Sequence, residues 1–170
     1  MPDQVDDTPS PHFYSVQAFD PALFDDIREA LPESQHYGGV GGRTTNPRAQ
    51  KSRQVLPLMQ NKLEGLSLEK NKFWIEMVSF FRSADFVQLA MAAYAPLIQA
   101  VRPDLIGHQD FEIRFELLRD TTAYGIGPHS DHPKKVMTLL FYLSGGDTKE
   151  NLGTSFYKPV QEGYECETGR

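Results

Sequence analysis

Tyr124-Gly-Ile-Gly-Pro-His-Ser-Asp-His-Pro-Lys-Lys-Val-Met-Thr-Leu-Leu-Phe-Tyr-Leu143 contains the change of pattern on which the fold turns. A glycine turn runs through Pro128-His129-Ser130-Asp131 into Val136 to Leu143, which is nearly all apolar. A short uninterrupted apolar run bordered by turn residues predicts a β-strand buried on both faces. Upstream, Phe111-Glu-Ile-Arg-Phe-Glu-Leu117 alternates apolar with charged residues. That is the period of a half-buried strand presenting Glu112, Arg114 and Glu116 on its other face. Downstream, a Gly145-Gly146-Asp147 turn leads to a further short strand, Thr154 to Tyr157.

The N-terminal part reads differently. After residues 1–11, expected to be a flexible start, His12 to Val16 can form a short strand, and Leu23, Phe24, Ile27 and Leu31 recur at helical spacing. Asp20 can cap that helix, Pro21 suits its first position, and Pro32 stops it. Two more helices are expected, Lys72 to Phe81 and Ala84 to Val101. The first carries Phe73, Met77, Phe80 and Phe81 on one face. The second carries Phe86, Leu89, Ala93, Leu97 and Val101, is capped by Ser83, and should be kinked or divided by Pro96. Trp74 reads as a packing or surface residue rather than a site. Ser34 to Arg53 reads as a glycine-rich loop and candidate lid; its Tyr37-Gly-Gly-Val-Gly-Gly42 core lacks the spacing that aims backbone amides at a phosphate. Helices first and strands afterwards predict an α+β domain over residues 12–170, with helical support at 20–102 and sheet from 109 onward.

With 170 residues, 39% of them hydrophobic and 11% aromatic, the chain can bury one core. A net charge of -6 with scattered Lys and Arg argues against nucleic acid and anionic membrane as partners. The start is acidic and proline-rich, unlike a signal peptide, and no run approaches the length of a membrane-spanning helix. The single cysteine, Cys166, excludes an internal disulfide and fits a reducing cytosol, so a cytoplasmic location is expected.

His129 and Asp131 carry the chemistry. In an extended chain, residues two apart point to one side, so an imidazole and a carboxylate can converge on one ion while Ser130 faces away. Two such ligands are two thirds of the two-His-one-carboxylate triad that holds Fe(II) with open positions. The order of features, with His-x-Asp after a glycine turn, then Thr138 to Tyr142-Leu143, a Gly-Gly-Asp turn and Gly153 to Tyr157, resembles the Fe(II)/2-oxoglutarate-dependent dioxygenases. The resemblance is nearest to their prolyl-hydroxylase-like branch and covers about Phe111 to Pro159. It implies a double-stranded β-helix, or jelly roll, with helices packed on one sheet. It also implies His129 and Asp131 as metal ligands, Fe(II) and 2-oxoglutarate as cofactors, and a hydroxylase acting on a small-molecule or protein side-chain substrate. Tyr142 aligns with a strand tyrosine that hydrogen-bonds the distal carboxylate of 2-oxoglutarate. Tyr124 lies near a cosubstrate-side tyrosine, at a different offset from the histidine.

The chain lacks two parts of that pattern. The family has a second iron-binding histidine on a later strand, followed by a basic anchor for 2-oxoglutarate, and neither is found here: His12, His36, His108 and His132 are the remaining histidines and none follows His132. His132 would point away from Asp131 in an extended segment, and His108 reads as a loop residue. Three expectations follow: a C-terminally truncated enzyme whose second histidine lies past Arg170, a short protein completed by another chain, or a noncatalytic jelly-roll or cupin-like binding module. Incomplete sheets would leave strand edges that invite pairing between two copies.

Overall fold

Local signals at Asp20 and Pro21 act as the sequence predicts: helix α1 spans Pro21–Glu29, and the Asp20 carboxylate accepts a hydrogen bond from the Ala22 amide at 2.9 Å. The computed structural model describes residues 12–41, 47–105, 107, 111–121, 124, 127–143 and 153–168. These fall into two compact units, one within 1–28 and 127–170, the other within 29–126.

Among the described residues, the unit within 29–126 holds nearly all of the buried apolar side chains, including Val55, Leu56, Leu58, Leu63, Trp74, Val78, Phe81 and Leu117. Its sheet has the order β1-β2-β3, with β1 at Gly38–Gly39, β2 at Arg53–Pro57 and β3 at Glu116–Asp120. Both pairings are antiparallel; Val55 faces Gly38 on one side and Leu118 on the other. Ser34 to Arg53, expected to be a loop, therefore contributes a 3-10 turn at Ser34–His36, the edge strand β1 and helix α2 at Pro47–Ser52. Its residues 42–46 lie outside the described ones. Glycine is a poor strand former, but β1 is held by hydrogen bonding to β2 rather than by its own propensity.

Helix α3 (Gln60–Leu63) is one turn long and precedes α4 (Leu68–Phe81). The latter begins one turn earlier than its apolar period suggests, because Ser67 caps it, its hydroxyl accepting from the Lys70 amide at 3.4 Å. The buried stripe also shifts. Trp74, Val78 and Phe81 are buried, whereas Phe80 is 59% exposed. The next helical stretch is divided near Pro96 as expected, into α5 (Ala84–Ala93) and α6 (Ala95–Val101), with Ser83 capping α5 through the Phe86 amide. Phe81 packs against Phe115 with ring centroids 5.2 Å apart, tying the end of α4 to the segment before β3.

In that segment the predicted alternation holds in burial. Phe111, Ile113 and Phe115 are half-buried, Leu117 is buried, and Glu112, Arg114 and Glu116 are exposed. Strand pairing itself starts only at Glu116.

The other unit contains a two-stranded antiparallel sheet, β4 (Phe156–Val160) with β5 (Gly163–Thr168). Here the expectation for Val136 to Leu143 is overturned: the run forms no strand, and Leu139, Leu140, Phe141 and Tyr142 are exposed rather than buried on two faces. An apolar run becomes a buried strand only where neighbouring strands supply hydrogen bonds and cover, and among the described residues none pairs with it. His12 to Val16 likewise forms no continuous strand, although His12 stacks on Phe156 at 4.5 Å. The Gly145-Gly146-Asp147 turn lies outside the described residues. The chain is thus mixed, with helices and two small antiparallel sheets; no closed barrel forms among the described residues. Nor, among them, is any helix long and apolar enough to cross a membrane.

Candidate functional site

Glycine and proline keep residues 127–132 out of regular structure, so the polar side chains there are held by bonds within a few residues of one another. His129 Nδ1 lies 2.9 Å from the Gly127 carbonyl oxygen. A carbonyl can only accept, so Nδ1 carries the proton and donates it, and in the neutral ring Nε2 keeps the lone pair. Fixing one ring nitrogen on a backbone carbonyl is how a metal-binding histidine is commonly set in its tautomer.

Asp131 is held at both oxygens. The Lys135 ammonium donates to Oδ1 at 2.9 Å and the Thr138 hydroxyl to Oδ2 at 3.3 Å. The hydrogen bond from Lys135 is the main reason that the Asp131 carboxyl sits below the usual carboxylate range; partial burial opposes this, and the charge of Lys135, the bond from Thr138 and nearby His129 add to it. Asp131 is therefore an anion at neutral pH. A cation approaching it would exchange with the Lys135 ammonium, which lies on the exposed surface.

Both His129 and Asp131 are exposed, and among the described residues no cluster of three or more His, Cys, Asp or Glu side chains comes together as a metal cage. His132 accepts the Lys134 amide on Nδ1 at 3.1 Å, within the turn that Pro133 starts, and His108 lies outside the described residues. Tyr142 is 49% exposed, and its hydroxyl shares a 2.7 Å hydrogen bond with the Thr154 hydroxyl. The sequence pointed to His129, Asp131 and Tyr142, and Lys135 and Thr138 were given no role at Asp131. The signal for Lys135 was its spacing of four from a carboxylate, and for Thr138 a hydroxyl within the same local reach.

Tyr124 belongs to the unit within 29–126, where its ring lies under the Arg53 guanidinium, 3.5 Å from carbon to ring centroid. Arg53 also makes a forked ion pair with Asp120, at 2.8 and 2.7 Å, across the paired strands β2 and β3. A planar guanidinium can serve a carboxylate with its edge and an aromatic ring with its face. Tyr124 is thereby engaged in a structural stack. Because Asp120 is partly solvated, Arg53→Met is expected to destabilise the chain by only about 1–2 kcal/mol. A shift of the urea midpoint at unchanged slope would register it, and no shift would show that the stack contributes nothing.

No protein-family model, curated protein or solved structure matches this chain.

Proposed function

We propose that His129 and Asp131 are two of the three iron ligands of an Fe(II)- and 2-oxoglutarate-dependent oxygenase that hydroxylates a small-molecule or protein side-chain substrate. The observation that carries this reading is the hydrogen bond from His129 Nδ1 to the Gly127 carbonyl, which leaves Nε2 as a metal-binding lone pair two residues from an ionised carboxylate. A neutral imidazole and a carboxylate suit Fe(II), and together with 2-oxoglutarate the bound metal would supply the oxidant. The chain's own residues supply orientation and charge. Gly127 fixes the imidazole, Lys135 and Thr138 keep Asp131 ionised, and Thr154 orients the Tyr142 hydroxyl, which in this reading donates to the distal carboxylate of 2-oxoglutarate. The jelly-roll architecture, the cytoplasmic location and a second histidine contributed from beyond Arg170 or by another chain belong to the same proposal.

Calorimetry with Mn(II), a redox-stable stand-in for Fe(II), tests it. We expect weak binding to this chain, tightened by 2-oxoglutarate, and a loss of at least about tenfold in affinity in the double variant H129A/D131A. Equal Mn(II) affinity in the variant would remove His129 and Asp131 as ligands and favour the noncatalytic module.

A further inference from the structure

The glycine pair of β1 has no explanation within the fold. Glycine is required where φ is positive or where a Cβ would strike a neighbour. Neither applies: Gly38 and Gly39 are absent from the positive-φ positions, a Cβ on Gly38 would lie at an ordinary 3.9 Å from the Val55 carbonyl, and one on Gly39 would meet nothing within 4 Å. Strand propensity would favour almost any other residue at both. Gly39 instead opens onto a cleft of about 360 Å³ in the unit within 29–126. Tyr37 and Lys62 line the same cleft, and Leu56 and Pro57 of the neighbouring strand give it an apolar part.

Two of the residues lining this cleft, Lys62 and Tyr37, end in polar groups that make no hydrogen bond or ion pair among the described residues. Burial pushes the Tyr37 phenol upward, against the opposing charge of Arg119, so the hydroxyl stays a donor at neutral pH. On the segment before β1, the Glu33 carboxylate is already paired with the Lys70 ammonium at 2.7 Å. Residues bearing a cation and a neutral donor, together with exposed strand backbone, therefore border a space at the small end of ligand pockets.

We propose that this cleft binds a small organic carboxylate, its anionic end at Lys62 and Tyr37 and its apolar body lying across the Gly38–Gly39 backbone toward Leu56 and Pro57. The glycines are there to let that body approach the strand. The inference is independent of the metal site.

The test is an NMR titration of the 15N-labelled chain with benzoate, with benzamide and inorganic phosphate as controls. Benzoate should shift the amides of Tyr37, Gly38 and Gly39 saturably. Lys62→Gln should weaken binding by about tenfold, the equivalent of one charge-assisted hydrogen bond. Gly39→Val should abolish binding while leaving the melting temperature unchanged or raised, since the added side chain meets open space. Equal shifts with benzamide would overturn the carboxylate, and equal shifts with phosphate would overturn the apolar body. Absence of saturable shifts at these amides with benzoate up to the tens of millimolar, or undiminished binding in both variants, would overturn the site.

Discussion

Replacing Trp74 by alanine is expected to lower the unfolding free energy by about 3–5 kcal/mol, as the loss of a large buried aromatic does when its surroundings cannot close the space. Trp74 is only 4% exposed, and its indole Nε1 donates to the Ala30 carbonyl at 2.8 Å, joining the middle of α4 to the chain just after α1. The two contributions can be separated. Trp74→Phe keeps much of the apolar volume but leaves the Ala30 carbonyl without this donor, a loss of about 1–3 kcal/mol. Because Trp74 is the single tryptophan, the comparison is made by urea unfolding followed by far-ultraviolet circular dichroism rather than by tryptophan fluorescence. A Trp74→Ala variant within about 1 kcal/mol of the parent would show that this region repacks freely.

Leu63→Ala should cost about 2–5 kcal/mol. Leu63 is the most completely buried leucine among the described residues, at 1% exposure, and it closes a helix only four residues long. One turn of helix has no stability of its own, so α3 persists because Leu63 is buried and because its carbonyl accepts from both the Leu66 amide at 3.0 Å and Asn71 Nδ2 at 2.8 Å. The truncation should therefore act locally as well as globally. Amide exchange at Lys62, Leu63 and Leu66 should accelerate more than exchange within α4, and uniform acceleration across both helices would contradict the local role assigned to Leu63.

What could be read from the sequence follows the range of the interactions involved. Helix α1 was legible because its cap, its proline and its stop lie within a dozen residues, and the division between α5 and α6 was legible because Pro96 acts on its own turn. Strand β2 was not. Its partner β3 lies more than sixty positions away, as Arg53 facing Asp120 shows, and its five residues offer only Val55 and Leu56 as a buried pair ahead of Pro57. The run from Val136 to Leu143 was misread for the converse reason: apolar composition says what a segment could bury, and only neighbouring strands decide whether it does. At the candidate site, the His129–Asp131 pair was singled out by its spacing together with the glycine turn before it and the Tyr142-Leu143 run after it, whereas the ammonium that engages Asp131 depended on how the turn at Pro133 brings Lys135 back.

The exposed run Val136-Met-Thr-Leu-Leu-Phe-Tyr-Leu143 has a consequence for solubility. It is eight residues without a charge, a proline or a glycine, rich in residues that favour extended structure, and open to solvent over Leu139 to Tyr142. Segments of that composition can stack in register between molecules into cross-β aggregates. The two cations immediately before it, Lys134 and Lys135, bring like charges close together in any such stack and so oppose it. The lysine that neutralises Asp131 is thus also a gatekeeper, and acetylating the pair should shorten the lag before a thioflavin-positive aggregate forms.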